Sequence, residues 1–312
     1  MSFLCGPGAA AQDFDEGLRP GLPEKESSSE NAQAWYWNPS YKYEEDNFQR
    51  EYWQTRQQLG YSWRSEFVPF LEYVRTSFRE QGILPVKDNA WGVGARGRLN
   101  NKHAYVMRAL QHSFSQSVKE QTSFLVDLQS DWNSTWQTRV RAGREPLETA
   151  QALLSNLDQG FLETEVTANF WTRWHAYARG ELGRLSDKNR LYSSDWQLSY
   201  DIPGLTGFQA LVLYQFDNMK ERRPQYYSPG RVKSYQAGLS YYGTPTEKTW
   251  VWGRYIPGYG KEQGVETWFV QVVDFNAGLE ITEDFDLEFG LGWSRSPTYR
   301  SRTYKLKGNL EF

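Results

Sequence analysis

The chain has one cysteine, Cys5, three histidines and three methionines in 312 residues. A single thiol excludes a disulfide framework and a cysteine metal cluster. No run of about 18 apolar residues occurs, and a mean hydropathy of −0.75 excludes a protein built from transmembrane helices. Charge of one sign is also missing. A net charge of −3 and a pI near 5.8 give no long-range field for nucleic acid or an anionic surface. There is no P-loop, no dinucleotide fingerprint and no His/Cys metal spacing, so neither cofactor nor metal is expected.

What the chain has is aromatic rings: 14 Trp, 20 Tyr and 17 Phe, 16 % of a polar sequence. Aromatics favour strands, and Trp and Tyr gather where a surface passes from lipid to water. Nine tryptophans (35, 37, 53, 63, 132, 171, 174, 250 and 268) are candidates for two interfacial girdles. Some inward rings, such as Trp250, Trp252 and Tyr242, are candidates for stacking on sugar faces.

Helical periodicity fits only "EPLETAQALLSNLDQG" (145–160), with Pro146 early and Gly160 as a stop. Elsewhere the period is two. In 285–293 the apolar set Phe285, Leu287, Phe289, Leu291, Trp293 alternates with Asp286, Glu288, Gly290 and Gly292. In 91–99 the set Trp91, Val93, Ala95, Gly97, Leu99 alternates with Gly92, Gly94, Arg96 and Arg98. Such segments give about sixteen strands: 33–41, 50–64, 66–78, 90–99, 103–113, 121–131, 134–143, 160–171, 174–183, 190–202, 206–217, 230–243, 248–256, 266–281, 284–295 and 300–312.

The intervening segments alternate in length. Tight turns near 65 and at 100–102, 132–133, 172–173, 203–205, 244–247 and 282–283 interleave with segments 79–89, 114–120, 144–159, 184–189, 218–229, 257–265 and 296–299. A soluble sandwich or jelly roll also alternates. Short turns at one end, longer polar loops at the other and strands of about ten residues fit an all-β, closed antiparallel transmembrane barrel better. A sheet in hydrocarbon has to close and to turn apolar side chains outward, which leaves the charged ones for the lumen. The expected organisation is a barrel over 33–312, preceded by 1–32. Within that leader "MSFLCGPGAAAQ" reads either as the clipped end of a signal peptide or as a tail without meaning, and 13–31 reads as a disordered linker.

Inward parity assigns Arg56, Arg96, Arg98, Arg108, Arg139 and Arg141 to the first half of the lumen, and Glu163, Glu165, Asp195, Asp201, Asp286 and Glu288 to the second, with Arg179, Lys305 and Lys307 as exceptions. Facing halves of opposite sign would set a transverse field that selects among ions and polar solutes. The bland alternative is that these groups pair and fill the lumen. His112 opens "HSFSQS", a serine beside a histidine, but it lacks the Asn-Gly continuation of an outer-membrane phospholipase, and no aspartate cluster resembles an omptin protease site. No catalysis is expected.

The final segment "TYKLKGNLEF" has one apolar face, with Tyr304, Leu306, Leu310 and Phe312, and one polar face. It resembles the C-terminal assembly signal of outer-membrane proteins, and the resemblance implies recognition by the barrel assembly machinery. "YYSPGRVKSYQAGLSYYG" (226–243) and "WYWNPS" (35–40) resemble the barrels of exopolysaccharide export porins, those for poly-N-acetylglucosamine and cellulose. That likeness covers 33–312 and implies a sixteen-stranded outer-membrane conduit for a polysaccharide or another polar solute. The second reading is a plugged barrel that serves adhesion or phage attachment, decided by whether segment 144–159 folds into the lumen.

Overall fold

The computed structural model describes residues 34–47, 49–62, 66–223, 226, 230–264, 266–296 and 300–312. The leader 1–32, Trp63 and most of "YYSP" lie outside the described residues. Sixteen antiparallel strands close into one barrel, each paired with its chain neighbour, and the last strand pairs with the first. The strands are β1 (Ala34–Asp46), β2 (Glu51–Ser62), β3 (Val68–Glu80), β4 (Ile83–Asn100), β5 (His103–Phe114), β6 (Gln121–Asp131), β7 (Trp136–Pro146) and β8 (Asp158–Phe170). They continue as β9 (Trp174–Leu185), β10 (Arg190–Asp201), β11 (Phe208–Met219), β12 (Val232–Thr246), β13 (Thr249–Glu262), β14 (Trp268–Thr282), β15 (Phe285–Arg295) and β16 (Arg300–Glu311). The closing strand is the one read from "TYKLKGNLEF": Leu306 lies opposite Tyr41 on one side and Phe289 on the other.

Closure leaves no edge strand, and the alternation sorts side chains between two media. Outward positions carry exposed apolar groups, among them Val93, Leu162, Leu182, Leu239, Phe275 and Leu291. Rings cluster near both ends of the strands. Trp35 packs on Tyr61, and Trp174 on Tyr200, towards the turn end. Tyr73 packs on Trp91, and Tyr43 lies by Tyr304, towards the loop end. Trp35 and Tyr43 belong to the same strand and are separated by about 27 Å of chain, a height of about 19–22 Å at a tilt of 35–45°, within an apolar belt of about 25 Å. This is a multi-pass barrel of the outer-membrane kind. Trp250 and Trp268 leave the expected girdle. They share the inward parity of Arg254 and Asp274, so they face the lumen.

Several segment boundaries move, and the first strand, expected to end at 41, runs to Asp46. The expected loop 79–89 is instead a two-residue turn at Gln81 and Gly82, because β4 begins at Ile83. Gly82 supplies the positive φ of 76° that the turn requires. The loop 257–265 shrinks because β13 runs through Pro257 to Glu262. The expected helix over 145–160 is only α1 (Ala150–Leu154), since Pro146 still belongs to β7 and β8 begins at Asp158. Thr149 caps it, its hydroxyl accepting from the Ala152 N–H at 3.2 Å.

Candidate functional site: the lumen wall and the loop-end lid

The lumen wall carries a ladder of ion pairs built by strand register. On β2, β3 and β5, the buried carboxylate of Glu72 receives Arg56 Nε at 3.0 Å and an Arg108 Nη at 3.4 Å. On β6 and β7, Arg139 Nε lies 2.9 and 3.1 Å from the two oxygens of Asp127, and a guanidinium nitrogen of Arg139 also bonds that carboxylate. Arg141 donates to Glu163 on β8 at 3.1 Å. Arg179 on β9 then joins Glu163 (2.6 Å from Nε), Glu181 (3.0 Å) and Asp195 of β10 (3.3 Å). Glu165 stands in register between Arg139 and Arg179. A separate pair, Arg254 to Asp274 at 2.7 Å, joins β13 to β14.

This arrangement corrects the expected field. Glu72 and Asp127 sit among the first-half arginines, so acids and bases alternate around the wall instead of occupying facing halves. Arg96 is held differently, with its guanidinium 4.1 Å from the Tyr36 ring centroid. Arg98 shares its face on β4. Asp201 accepts from Gln209 at 2.8 Å and lies 3.1 Å from His175 Nε2. Glu288 lies opposite Lys307 in register, and Asp286 opposite Asn309. Several ladder side chains keep contact with solvent: 27 % of Arg56 and 21 % of Arg141 stay exposed. The wall is therefore open to the lumen, and its charges are fixed by neighbours.

Sequence parity missed Glu72, Asp127, Asp274 and Arg254. Glu72 follows Phe70 and precedes Val74 on the inward face, so the charge is hidden in an apolar series. Charge parity does not find it either, since Arg75 and Arg79 stand on the other face of the same strand.

A second group is Asp88, His112 and Ser123, of which the sequence offered only His112, beside a different serine. His112 Nδ1 lies 2.7 Å from Asp88, and its Nε2 lies 2.8 Å from the Ser123 hydroxyl. The three residues are buried on β4, β5 and β6. The order resembles a hydrolytic relay, yet a hydrolase also needs donors aimed at a developing oxyanion. The strand N–H groups around these residues are engaged in ladders. The group ties three strands together.

The loop end is crossed by the segment carrying α1. Leu153 and Ala150 pack with Phe78, Val86 and Val118, against β3 and β4. Ala152, on the other face, packs with Leu185, Met219 and Tyr226, against β9 and β11. From β4 to β11 is seven steps around sixteen strands, nearly a diameter. Polar ties flank the apolar contacts: the Gln151 N–H donates to Glu80 at 3.3 Å, and the Lys119 N–H to Asn156 at 2.7 Å. Asn189 donates to the Tyr226 hydroxyl at 2.8 Å, and that hydroxyl donates to Asp187 at 2.9 Å. Burial, opposed by the Asn189 bond and reinforced by Asp187, pushes the Tyr226 phenol up to about 12. It stays protonated and remains a donor at neutral pH.

Three inward rings sit towards the turn end. Tyr242 lies opposite Trp252 in register. Trp250 covers Gly278, where a Cβ would come within 2.1 Å of Trp250 Nε1, so the glycine is what lets the indole lie against the wall.

No protein-family model matches the chain, and no curated protein matches it by sequence. Solved structures resemble it in fold. A structure described as a bacterial polysaccharide outer membrane secretin is 13 % identical with a TM-score of 0.72, covering 91 % of this chain and 99 % of that one. OccAB4 of Acinetobacter baumannii is 8 % identical with a TM-score of 0.50, covering 91 % of this chain and 99 % of that one. At such identities the likeness is one of fold.

Proposed function

We propose that the protein is a non-enzymatic outer-membrane conduit for a polar solute, with a polysaccharide as the preferred cargo and the α1 segment as a lid at the loop end. The observation that carries this reading is the lumen-facing, charge-paired wall beneath an apolar lid. A sixteen-stranded barrel is wide enough for an aqueous channel. Paired charges give a passing polar chain replaceable hydrogen-bond partners without a net field to trap it. Tyr242, Trp250 and Trp252 offer flat faces for pyranose rings. The fold shared with a polysaccharide secretin supports the same cargo.

The second reading, a closed barrel that acts through its loops, is favoured by one observation: the lid packs from β3 and β4 across to β9 and β11. Planar-bilayer recordings separate the two. The native protein should give small or rare conductance steps. Leu153→Asp, which places a charge in a fully buried apolar site, should raise conductance and open time several-fold. No conductance from either protein, with folding verified by a heat-dependent gel shift, would establish the closed barrel.

A further inference from the structure

A row of cations crosses the outer face of the barrel at its loop end, and register aligns it. Arg144 of β7 lies opposite Gly160 of β8, Gly160 opposite Arg184 of β9, and Arg184 opposite Arg190 of β10. Lys220 continues the row, its N–H bonding the Arg190 carbonyl at 3.0 Å. All four side chains have the outward parity of Leu162, Leu182 and Tyr192, and all four residues are exposed. Arg144 is matched by Asp158 at 2.8 Å. Arg184, Arg190 and Lys220 have no acidic partner among the described residues. Like charges directly opposite on neighbouring strands repel, so Arg184 beside Arg190 calls for a counter-charge that the described residues do not supply.

The row also caps a groove. A depression of about 540 Å³ on the outer face is lined by Arg184 and Arg190 at its rim and by Phe124, Leu162, Leu182 and Tyr192 below. Gly160 in its floor, in register between Arg144 and Arg184, puts no side chain into it. A second depression of about 830 Å³, on strands β7 to β12, is lined by Trp136, Ala168, Ala178, Trp196, Val212 and Tyr235 and runs to the turn end, in the opposite half of the apolar belt. Both open towards the medium that surrounds the barrel. An occupant must be anionic at the headgroup level and apolar over at least two register rows below. A row spanning four strand spacings, roughly 19 Å, is wider than one two-chain phospholipid.

We infer that this face of β7 to β11 binds a phosphorylated, multiply acylated glycolipid of the outer leaflet, with phosphate on Arg184 and Arg190 and acyl chains over the depression directly beneath them. Phosphate accepts bidentate hydrogen bonds from guanidinium in the geometry two facing arginines provide. The sugar backbone fits the width of the row, and several chains fit side by side on the apolar surface below it, around Phe124, Leu162, Leu182 and Tyr192.

The test uses full-length barrel stripped of lipid by detergent exchange, then mixed with diphosphoryl lipid A, its dephosphorylated form, phosphatidylglycerol or inorganic pyrophosphate. Bound lipid is counted by native mass spectrometry. Diphosphoryl lipid A should be retained, and the other three at least about tenfold less. R184Q with R190Q should cut retention about tenfold, whereas Lys248→Gln, in a turn at the other end, should not. Equal retention by the double variant, or equal retention of phosphatidylglycerol, would overturn the assignment, as would pyrophosphate competing fully without any chain. A readout independent of binding comes from heat stability in lipid-free detergent. There R190Q alone should be at least as stable as the native protein because a repulsion has gone, and it should gain less than native on adding lipid A. A less stable R190Q without lipid would contradict the claim that the pair awaits an outside anion.

Discussion

Arg179 Nε lies 2.6 Å from Glu163 Oε2, and the same guanidinium reaches Glu181 and Asp195 on either side. One cation therefore holds three carboxylates together on β8, β9 and β10. Removing one member of such a cluster costs far more than the cluster contributes, because the others are left desolvated without a partner.

The first expectation follows from that arrangement. Arg179→Gln should destabilise the barrel by about 3–5 kcal/mol, read as a fall in the temperature of the heat-dependent gel shift. Combining it with Glu163→Gln should recover part of the loss. The single variant should also move any measured ion preference towards cations, since a fixed positive charge leaves the wall. Equal stability of the single variant and the native protein would show that the ladder is not structural.

The lumen aromatics yield a kinetic expectation. If Trp250 and Trp252 stack on passing sugar rings, replacing both by Ala should shorten oligosaccharide-induced current blocks in the lid-opened Leu153→Asp protein. With about 1 kcal/mol lost per stacked ring, the shortening should be about tenfold or more for the pair. Unchanged block times would remove carbohydrate from the proposed cargo while leaving the conduit intact.

The Asp88–His112–Ser123 chain provides a negative control on chemistry. Ser123→Ala should cost about 1–2 kcal/mol in stability through one lost buried hydrogen bond. The native serine should not react with a serine-directed fluorophosphonate. Labelling at Ser123 that disappears in His112→Ala would show that the relay is catalytic, against the structural role given to it here.

The fold was legible because two media impose one rule on every strand. Leu287, Phe289 and Leu291 could not share a face with Asp286 and Glu288, so the parity of "FDLEFGLGW" told outside from inside. The site was legible only in part. The arginines were found because Arg96, Arg98, Arg139 and Arg141 stand in plainly alternating strands. Their acids Glu72 and Asp127 were not, because each stands on the inward face beside apolar residues, Glu72 between Phe70 and Val74 on β3 and Asp127 after Leu125 on β6. The lid was mislocated for a related reason: "EPLETAQALL" has helical composition, but ladder pairing keeps Arg144 to Pro146 on the strand, and only five residues from Ala150 coil. β4 and β13 run through Pro85 and Pro257, inside segments expected to be loops. Local punctuation gave way to closure of the sheet.

The central claim is that neighbouring residues of one strand face lipid and water in turn around a closed cylinder. Cysteine scanning tests it most directly. In a Cys5→Ser background, Asp286, Leu287, Glu288, Phe289, Gly290 and Leu291 would be replaced by Cys singly, and the folded protein in liposomes treated with a charged, membrane-impermeant thiol reagent on both sides. The account predicts modification at 286, 288 and 290 and protection at 287, 289 and 291. Uniform modification along the strand, or protection that ignores parity, would contradict it.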